Sequence, residues 1–336
     1  MQKPEGRPEP LIDRFGRVHD SVRLSVTDRC NIRCFYCMPE VGAEFVSKDR
    51  ILTFEEIVRV ARLLVERAGV RDIRITGGEP LVRRELPRLI AMLAEIEGLQ
   101  DLSLTTNGVL LSEHAAALRR AGLQRLNISL DTLDEEVFRK ITRRDGLAKT
   151  LAGIDAAIAC DFDSIKLNTL AIHGVTEREV ARLVQYALDR RVMLRFIEFM
   201  PLDGDRAWRS DKVLSGDRLL ELMEAEFGTV TPIPRPDPSQ PAEEFQIQGG
   251  KVGIIRSVTT PFCGTCNRLR VTADGAIRNC LFAQTETPIR ERMRSGCSDD
   301  ELLELVRECL RGKAKAHGIE EDHFRPPDRP MYAIGG

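Results

Sequence analysis

No sign of charge dominates this 336-residue sequence: 50 Lys and Arg stand against 52 Asp and Glu, a formal net charge of −2 with a pI near 6.3. Without a global basic footprint the chain is not a general nucleic-acid binder, and any phosphate site must be local. Long apolar runs are missing too. No stretch approaches the ~18 residues of a membrane helix, and the opening MQKPEGRPEP has no apolar centre of a signal peptide. A soluble, cytoplasmic protein with neither membrane nor nucleic-acid partner is expected. There is no internal repeat beyond an alternation of short elements, and no low-complexity tract except one proline-rich stretch.

What is present suits a folded chain, with 42% hydrophobic and 30% charged residues. A chain of this length usually exceeds one core, so a large domain and a smaller one are expected. Nine cysteines, an odd number, read in a reducing compartment as metal ligands or core residues, not as a disulfide framework.

From residue 21 to about 200 short extended runs alternate with helical patterns, which predicts βα units and a parallel sheet. Six strands are expected: Val22 to Val26, Ile73 to Thr76, Leu102 to Thr105, Leu126 to Leu130, Ile165 to Leu170 and Leu194 to Phe199. Thr53 with Glu56, and Thr176 with Glu179, have the spacing of capping boxes ahead of helices. The strands alternate strictly, so one face is polar: Val22, Leu24 and Val26 oppose Arg23, Ser25 and Thr27. With helices on the apolar face, the polar face must line a wet lumen, and six strands make an incomplete (β/α)6 barrel.

Arg23, Arg74, Lys166 and Arg195 share that polar parity against one acid, Asp131. Several buried, unpaired cations are costly, so a polyphosphate is the partner that fits, unless the cations sit at strand ends and pair with loop carboxylates. Five prolines in 232–241 mark a linker, and the hairpins Phe245 to Ile255 and Arg268 to Asn279 then begin a second unit. The expected organisation is an N-terminal extension over 1–20, the partial barrel over 21–230 and a smaller cluster-binding C-terminal domain over 231–336. A helix follows Ser298 and Glu301, and the tail after Arg325 reads as irregular.

Two cysteine triads stand out. Cys30, Cys34 and Cys37 follow the first strand, where their thiols converge at its carboxyl end, the usual place for α/β active sites. Three thiolates can hold three irons of a 4Fe-4S cluster and leave the fourth open to a small ligand. Cys263, Cys266 and Cys280 bracket a hairpin and again stop at three, for which a zinc ribbon completed by His317 is the alternative. Cys309 lies on an apolar stripe with Leu302, Leu305 and Val306, and Cys160 and Cys297 have no partners, so all three are left out of the sites.

The run Cys30 to Cys37, with Tyr36 before its last cysteine, and Gly77-Gly78-Glu79-Pro80 after a strand resemble the marks of radical S-adenosylmethionine (SAM) enzymes. Alone, the two glycines would mean only a tight turn. Within that superfamily, Arg23 to Pro39, Thr76 to Arg83, Asn127 to Leu133, Phe196 to Pro201, Phe262 to Leu281 and Met331 to Gly336 resemble the GTP 3',8-cyclases of molybdenum cofactor biosynthesis. The likeness runs from about Phe15 to the end, and segment 203–212 carries no signature. It implies two 4Fe-4S clusters on the two triads and SAM as cofactor, bordered by Tyr36, Gly78, Ser129 and Met200. It implies GTP held by Arg23, Arg74, Thr105, Lys166, Arg268, Leu269 and Arg270, with Gly335 and Gly336 entering the active site. It also implies the chemistry: a 5'-deoxyadenosyl radical takes the ribose 3' hydrogen, the carbon radical attacks C8, and the second cluster delivers an electron.

The product would pass to cyclic pyranopterin monophosphate synthase; the electron donor is not legible, and a homodimer stays open. Two other readings compete, a radical SAM peptide-modifying enzyme with auxiliary clusters and a zinc-stabilised module without catalysis. The cationic lumen argues against the first, and the colour of anaerobic protein, brown for iron, decides the second. Iron analysis and Mössbauer spectra of reconstituted protein should give about eight irons per chain in two clusters, each with one non-cysteine site. Four irons after full reconstitution would leave one triad without a cluster.

Overall fold

The computed structural model describes residues 8–319, 321 and 323–336, so the first seven residues of the N-terminal extension lie outside the described residues. Among the described residues twelve strands form one unclosed sheet: β1 (Ser21–Ser25), β2 (Asp72–Thr76), β3 (Asp101–Thr106), β4 (Arg125–Ser129), β5 (Ser164–Ala171), β6 (Met193–Glu198), β7 (Thr231–Ile233), β8 (Glu243–Ile247), β9 (Gly250–Ile255), β10 (Arg268–Val271), β11 (Ala276–Arg278) and β12 (Thr287–Pro288). The order is β12-β11-β10-β1-β2-β3-β4-β5-β6-β9-β8-β7. The six expected strands are all there, parallel and in sequence, and make the incomplete barrel of the radical SAM type. Both hairpins form as read, and each joins this same sheet: β10 pairs parallel with β1 and β9 parallel with β6.

The helices are α1 (Phe54–Arg62), α2 (Leu86–Ala94), α3 (Leu111–Arg120), α4 (Glu135–Thr142), α5 (Leu147–Ala159), α6 (Val180–Asp189), α7 (Gly216–Phe227), α8 (Arg290–Arg294), α9 (Asp299–Arg311) and α10 (Met331–Ile334). The Thr53–Glu56 capping box forms at α1, and Ser298 with Glu301 caps α9 in the same way. Thr176 and Glu179 form no such box. Thr176 Oγ1 donates to the Leu170 carbonyl and accepts from Ile172 N–H, while Glu179 accepts from Thr132 Oγ1 and Leu133 N–H at 2.9 Å each, so other partners have taken both side chains. Nor is the tail irregular throughout, since Met331–Ile334 is one helical turn.

The core lies between sheet and helices and holds Val22, Leu24, Ile73, Ile75, Leu102 and Leu104, all nearly inaccessible. Register aligns their polar neighbours. Arg23 lies opposite Arg270 on one side and Arg74 on the other, Arg74 opposite Ser103, and Asn127 opposite Lys166. A period of two thus turns four sequence-distant cations onto one lumen. Among the described residues no helix is long and apolar enough to cross a membrane.

Candidate active site

The first triad is positioned by backbone contact. A Cβ on Gly78 would lie 2.5 Å from the Arg29 carbonyl oxygen, and one on Gly77 2.7 Å from that of Thr27, so only glycine lets β2 end this close to the loop entering Cys30. Gly78 N–H donates to the Thr27 carbonyl at 2.7 Å and Glu79 N–H to that of Arg29 at 2.8 Å. Buried Glu79 accepts from Thr106 Oγ1 and Asn107 N–H, both at 2.7 Å, yet burial lifts its pKa to about 7. Asn107 Nδ2 donates to Asn31 Oδ1 at 2.7 Å and lies 3.7 Å from Cys30 Sγ.

Burial pushes Cys30 up to about 12 and holds Cys34 and Cys37 well above the usual thiol range. Three desolvated thiols cannot all ionise side by side unless a positive group sits among them. They border a cavity of about 240 Å³ together with Tyr36, Gly78, Thr105, Ser129, Met200 and Gly336. Tyr36 donates its hydroxyl to Asp131 Oδ2 at 2.7 Å, and Thr76 Oγ1, on the same wall, is buried without a partner.

Cys263, Cys266 and Cys280 border a cavity of about 150 Å³. Lys313, which is 2% exposed, donates Nζ to the Arg268 carbonyl at 3.1 Å and lies 3.6 Å from Cys266 Sγ. Burial raises Cys266, but Arg268 and Lys313 outweigh it and bring its pKa to about 7, whereas burial leaves Cys263 raised. The N-terminal segment braces this loop, since the Arg17 guanidinium donates to the carbonyls of Cys263, Ala314 and Lys315 at 2.7, 2.8 and 2.9 Å.

His317 borders the cavity but is no ligand. Ile319 N–H donates to its Nδ1 at 3.2 Å, which leaves Nε2–H to donate to the Ser257 carbonyl at 3.1 Å, so neither nitrogen keeps a lone pair for zinc. All nine cysteines are free. Among the described residues no three His, Cys, Asp or Glu side chains close on one ion. Each triad instead spreads round a cavity, as thiolates bound to separate irons of a cluster do, and the donor set fits 4Fe-4S clusters.

A third cavity, of about 490 Å³, is lined by Arg23, Arg74, Arg125, Lys166, Arg195 and Arg268, with Asp20, Asp72, Asp101 and Asp237 on the same wall. Arg23 borders all three cavities, which adjoin one another. Burial, then Arg270, Arg74 and Arg268, press the Arg23 pKa well below its ordinary value. Burial with Arg74 and Arg125 brings Arg195 to about 9, and burial with Arg268 does the same to Arg270. These guanidinium groups keep their charge, and the shifts measure a crowding that an anion would relieve. Arg268 Nε and Nη2 are buried with no hydrogen-bond partner at all.

The tail enters this space. Gly335, at φ +90°, gives its carbonyl to Arg270 Nη1, and a Cβ on it would lie 2.6 Å from Ser25 Cβ. The Leu269 side chain does not face the lumen; it packs in the core in register with Val22. Sequence reading missed Arg125, which has lumen parity one residue ahead of the expected strand and pairs with Asp101. It also missed Asn107 and Lys313, which follow β3 and α9 and carry no periodic signal.

Comparisons with known proteins agree with this geometry. The radical SAM superfamily model matches residues 24–187, and that of Molybdenum Cofactor Synthesis C matches residues 192–319. A GTP 3',8-cyclase of Rhodopirellula baltica is 63% identical over 333 residues, 98% of this chain and 93% of the relative. The chain belongs to the GTP 3',8-cyclase family. A GTP 3',8-cyclase of Rhodococcus opacus is 46% identical over 98% of the chain and 95% of its own length. Two solved structures share the fold: SuiB of Streptococcus suis bound to S-adenosylmethionine, with TM-score 0.62 and 12% identity over 91% of this chain and 67% of that one, and anSMEcpe with bound AdoMet, with TM-score 0.58 and 16% identity over 93% of each.

The Lys166 ammonium differs from the arginines beside it in this GTP 3',8-cyclase lumen. Burial first, then Arg195 and Arg125, lower its pKa to about 8. An anion bound beside it raises that value again, so Lys166 strengthens anion binding fully below about pH 8 and less as pH rises through it. Titration calorimetry should show affinity for a nucleoside triphosphate falling between pH 7 and 9, and Lys166→Arg should flatten that slope. An unchanged slope in the arginine variant would show that another group titrates.

Proposed function

We propose that this chain converts GTP into (8S)-3',8-cyclo-7,8-dihydroguanosine 5'-triphosphate, the first step of molybdenum cofactor biosynthesis. The observation that carries this reading is a set of adjoining, mainly cationic cavities bordered by two cysteine triads. A nucleoside triphosphate supplies the missing charge, whereas a neutral peptide would leave the guanidinium groups uncompensated.

In this reading Cys30, Cys34 and Cys37 hold one 4Fe-4S cluster and Cys263, Cys266 and Cys280 the other, each with one iron free for a small ligand. Tyr36, Gly78, Ser129 and Met200 border SAM. When bound, the first cluster and SAM supply hydrogen abstraction from ribose C3', and the second cluster supplies an electron after the ring closes. The chain's own work is positioning. Arg23, Arg74 and Lys166 grip phosphate oxygens, assisted by Arg195, which Asn127 and Asn168 hold at 2.5 and 3.0 Å. Arg268 and Arg270 hold the nucleotide beside the second triad, and Thr105 lines the wall near the first.

Fixing C3' against C8 removes the entropy of finding that geometry, and Gly335 and Gly336 fill space that water would otherwise take. Six thiols of this kind need a reducing compartment, which favours the cytoplasm, and the product is passed to cyclic pyranopterin monophosphate synthase.

Anaerobic, reconstituted protein incubated with SAM, a reductant and each nucleoside triphosphate in turn should form cyclised product only from GTP; equal turnover of ATP would refute the substrate. Arg23→Ala, Arg74→Ala and Lys166→Ala should each weaken GTP binding roughly ten- to a hundredfold, one charge-assisted hydrogen bond apiece, and leave SAM affinity intact. Unchanged GTP affinity in all three would place the ligand elsewhere. Deleting Gly335 and Gly336 should leave both clusters and SAM cleavage, while cyclised product falls steeply relative to 5'-deoxyadenosine. Full coupling in the truncated chain would remove the tail from the mechanism.

A further inference from the structure

A helical turn of four residues, such as α10, does not hold itself together in water. Some of its support is local to its sides: Met331 N–H donates to the Leu202 carbonyl at 3.1 Å, and the Tyr332 hydroxyl to that of Glu44 at 3.1 Å. The centre of the support is Arg329. Its Nη2 donates to the Ala333 carbonyl at 2.7 Å and to Asp274 Oδ1 at 3.1 Å, and its Nη1 to Glu286 Oε2 at 2.9 Å and Asp274 Oδ2 at 3.3 Å. One planar guanidinium therefore fixes the turn to two carboxylates, a task its rigid fork suits and a lysine cannot copy.

Those carboxylates belong to the second-triad region. Asp274 sits in the turn between β10 and β11, held by Thr272 Oγ1 at 2.6 Å. The other oxygen of Glu286 takes Arg278, and Arg278 Nη2 donates to the carbonyls of Ala283 at 2.5 Å and Leu281 at 3.4 Å, in the loop that follows Cys280. The Arg278 side chain is 2% exposed, that of Glu286 21% and that of Arg329 25%, so these pairs are poorly hydrated and stronger than surface ion pairs.

We propose that Arg329 is the positioning residue that seats the Met331–Gly336 tail in the lumen, and that Glu286, shared with Arg278, makes this seating depend on the shape of the loop carrying Cys280. The tail and the second triad then hang from one ion-pair cluster. A loop relaxed by loss of its metal group moves Glu286, and with it Arg329 and the turn. The consequence for turnover rests on the proposed role of Gly335 and Gly336, but the seating itself does not.

The test is hydrogen–deuterium exchange, read by mass spectrometry, on the reconstituted full-length chain. In Arg329→Ala the peptide 331–336 should exchange about tenfold faster, the loss of one charge-assisted hydrogen bond, with strands β1 to β6 unchanged. GTP affinity should stay within about twofold, while the ratio of cyclised product to 5'-deoxyadenosine falls about tenfold; Arg329→Lys should lie between. Unaltered exchange at the tail in Arg329→Ala overturns the proposal. Glu286→Gln, which removes the shared charge without changing shape, should speed exchange both at the tail and over 280–286, and a change at only one of them overturns the coupling. If Arg329→Ala frees the tail, and neither it nor deletion of Gly335 and Gly336 alters the product ratio, the seating stands and the active-site reading of the tail fails.

Discussion

Guanidinium groups facing one another across a desolvated lumen are the constraint to which the rest of this molecule answers. Arg270, Arg23 and Arg74 lie side by side in register on three neighbouring strands, where water reaches them poorly. Such a row is tolerable only if the sheet fixes it, because free side chains would swing apart to recover hydration. The parallel ladder supplies that restraint from one side, and the buried amides of Asn127 and Asn168 restrain Arg195 from the other. The hairpin ending in β11 matters for the same reason: it brings β10, with Arg268 and Arg270, onto the open edge beside β1 and carries the second triad with it.

The two triads sit at that lumen in different electrostatic settings. Cys30, Cys34 and Cys37 are surrounded by burial and by the acids Glu79 and Asp131, all of which oppose thiolate formation. Cys266 instead has Arg268 and Lys313 beside it. A metal group at the first triad must itself supply the charge that keeps the thiolates ionised, whereas part of that charge is already built into the second. Arg268 serves both sides, since its side chain lines the cavities of the lumen and the second triad while its carbonyl holds Lys313 in place.

How much of this was legible in the sequence depends on the reach of each interaction. Strand alternation is a property of neighbours, so Arg23, Arg74, Lys166 and Arg195 were assigned to the lumen from parity, and the cysteine spacings named both triads. Leu269 came only with its motif, and its own parity, shared with Val271, already pointed to the core. The Thr176–Glu179 spacing was a sound local signal overridden by donors 47 and 46 residues away. Arg329 gave no signal at all, because its carboxylates lie 55 and 43 residues distant. The hairpins were readable as hairpins, while their docking at opposite edges of one sheet is set by pairing that no local pattern encodes.

The contact at Gly77 and Gly78 has a consequence for how this sequence can drift. Backbone pressed on backbone is the least adjustable packing in a protein, having no rotamer through which to yield. The spacing between β2 and the loop bearing Cys30 is therefore set by main-chain atoms and two hydrogen bonds, independent of which aliphatic residues fill the layer behind the sheet. Core positions such as Ile73 and Ile75 are free to exchange among shapes of similar volume across generations without moving the thiols.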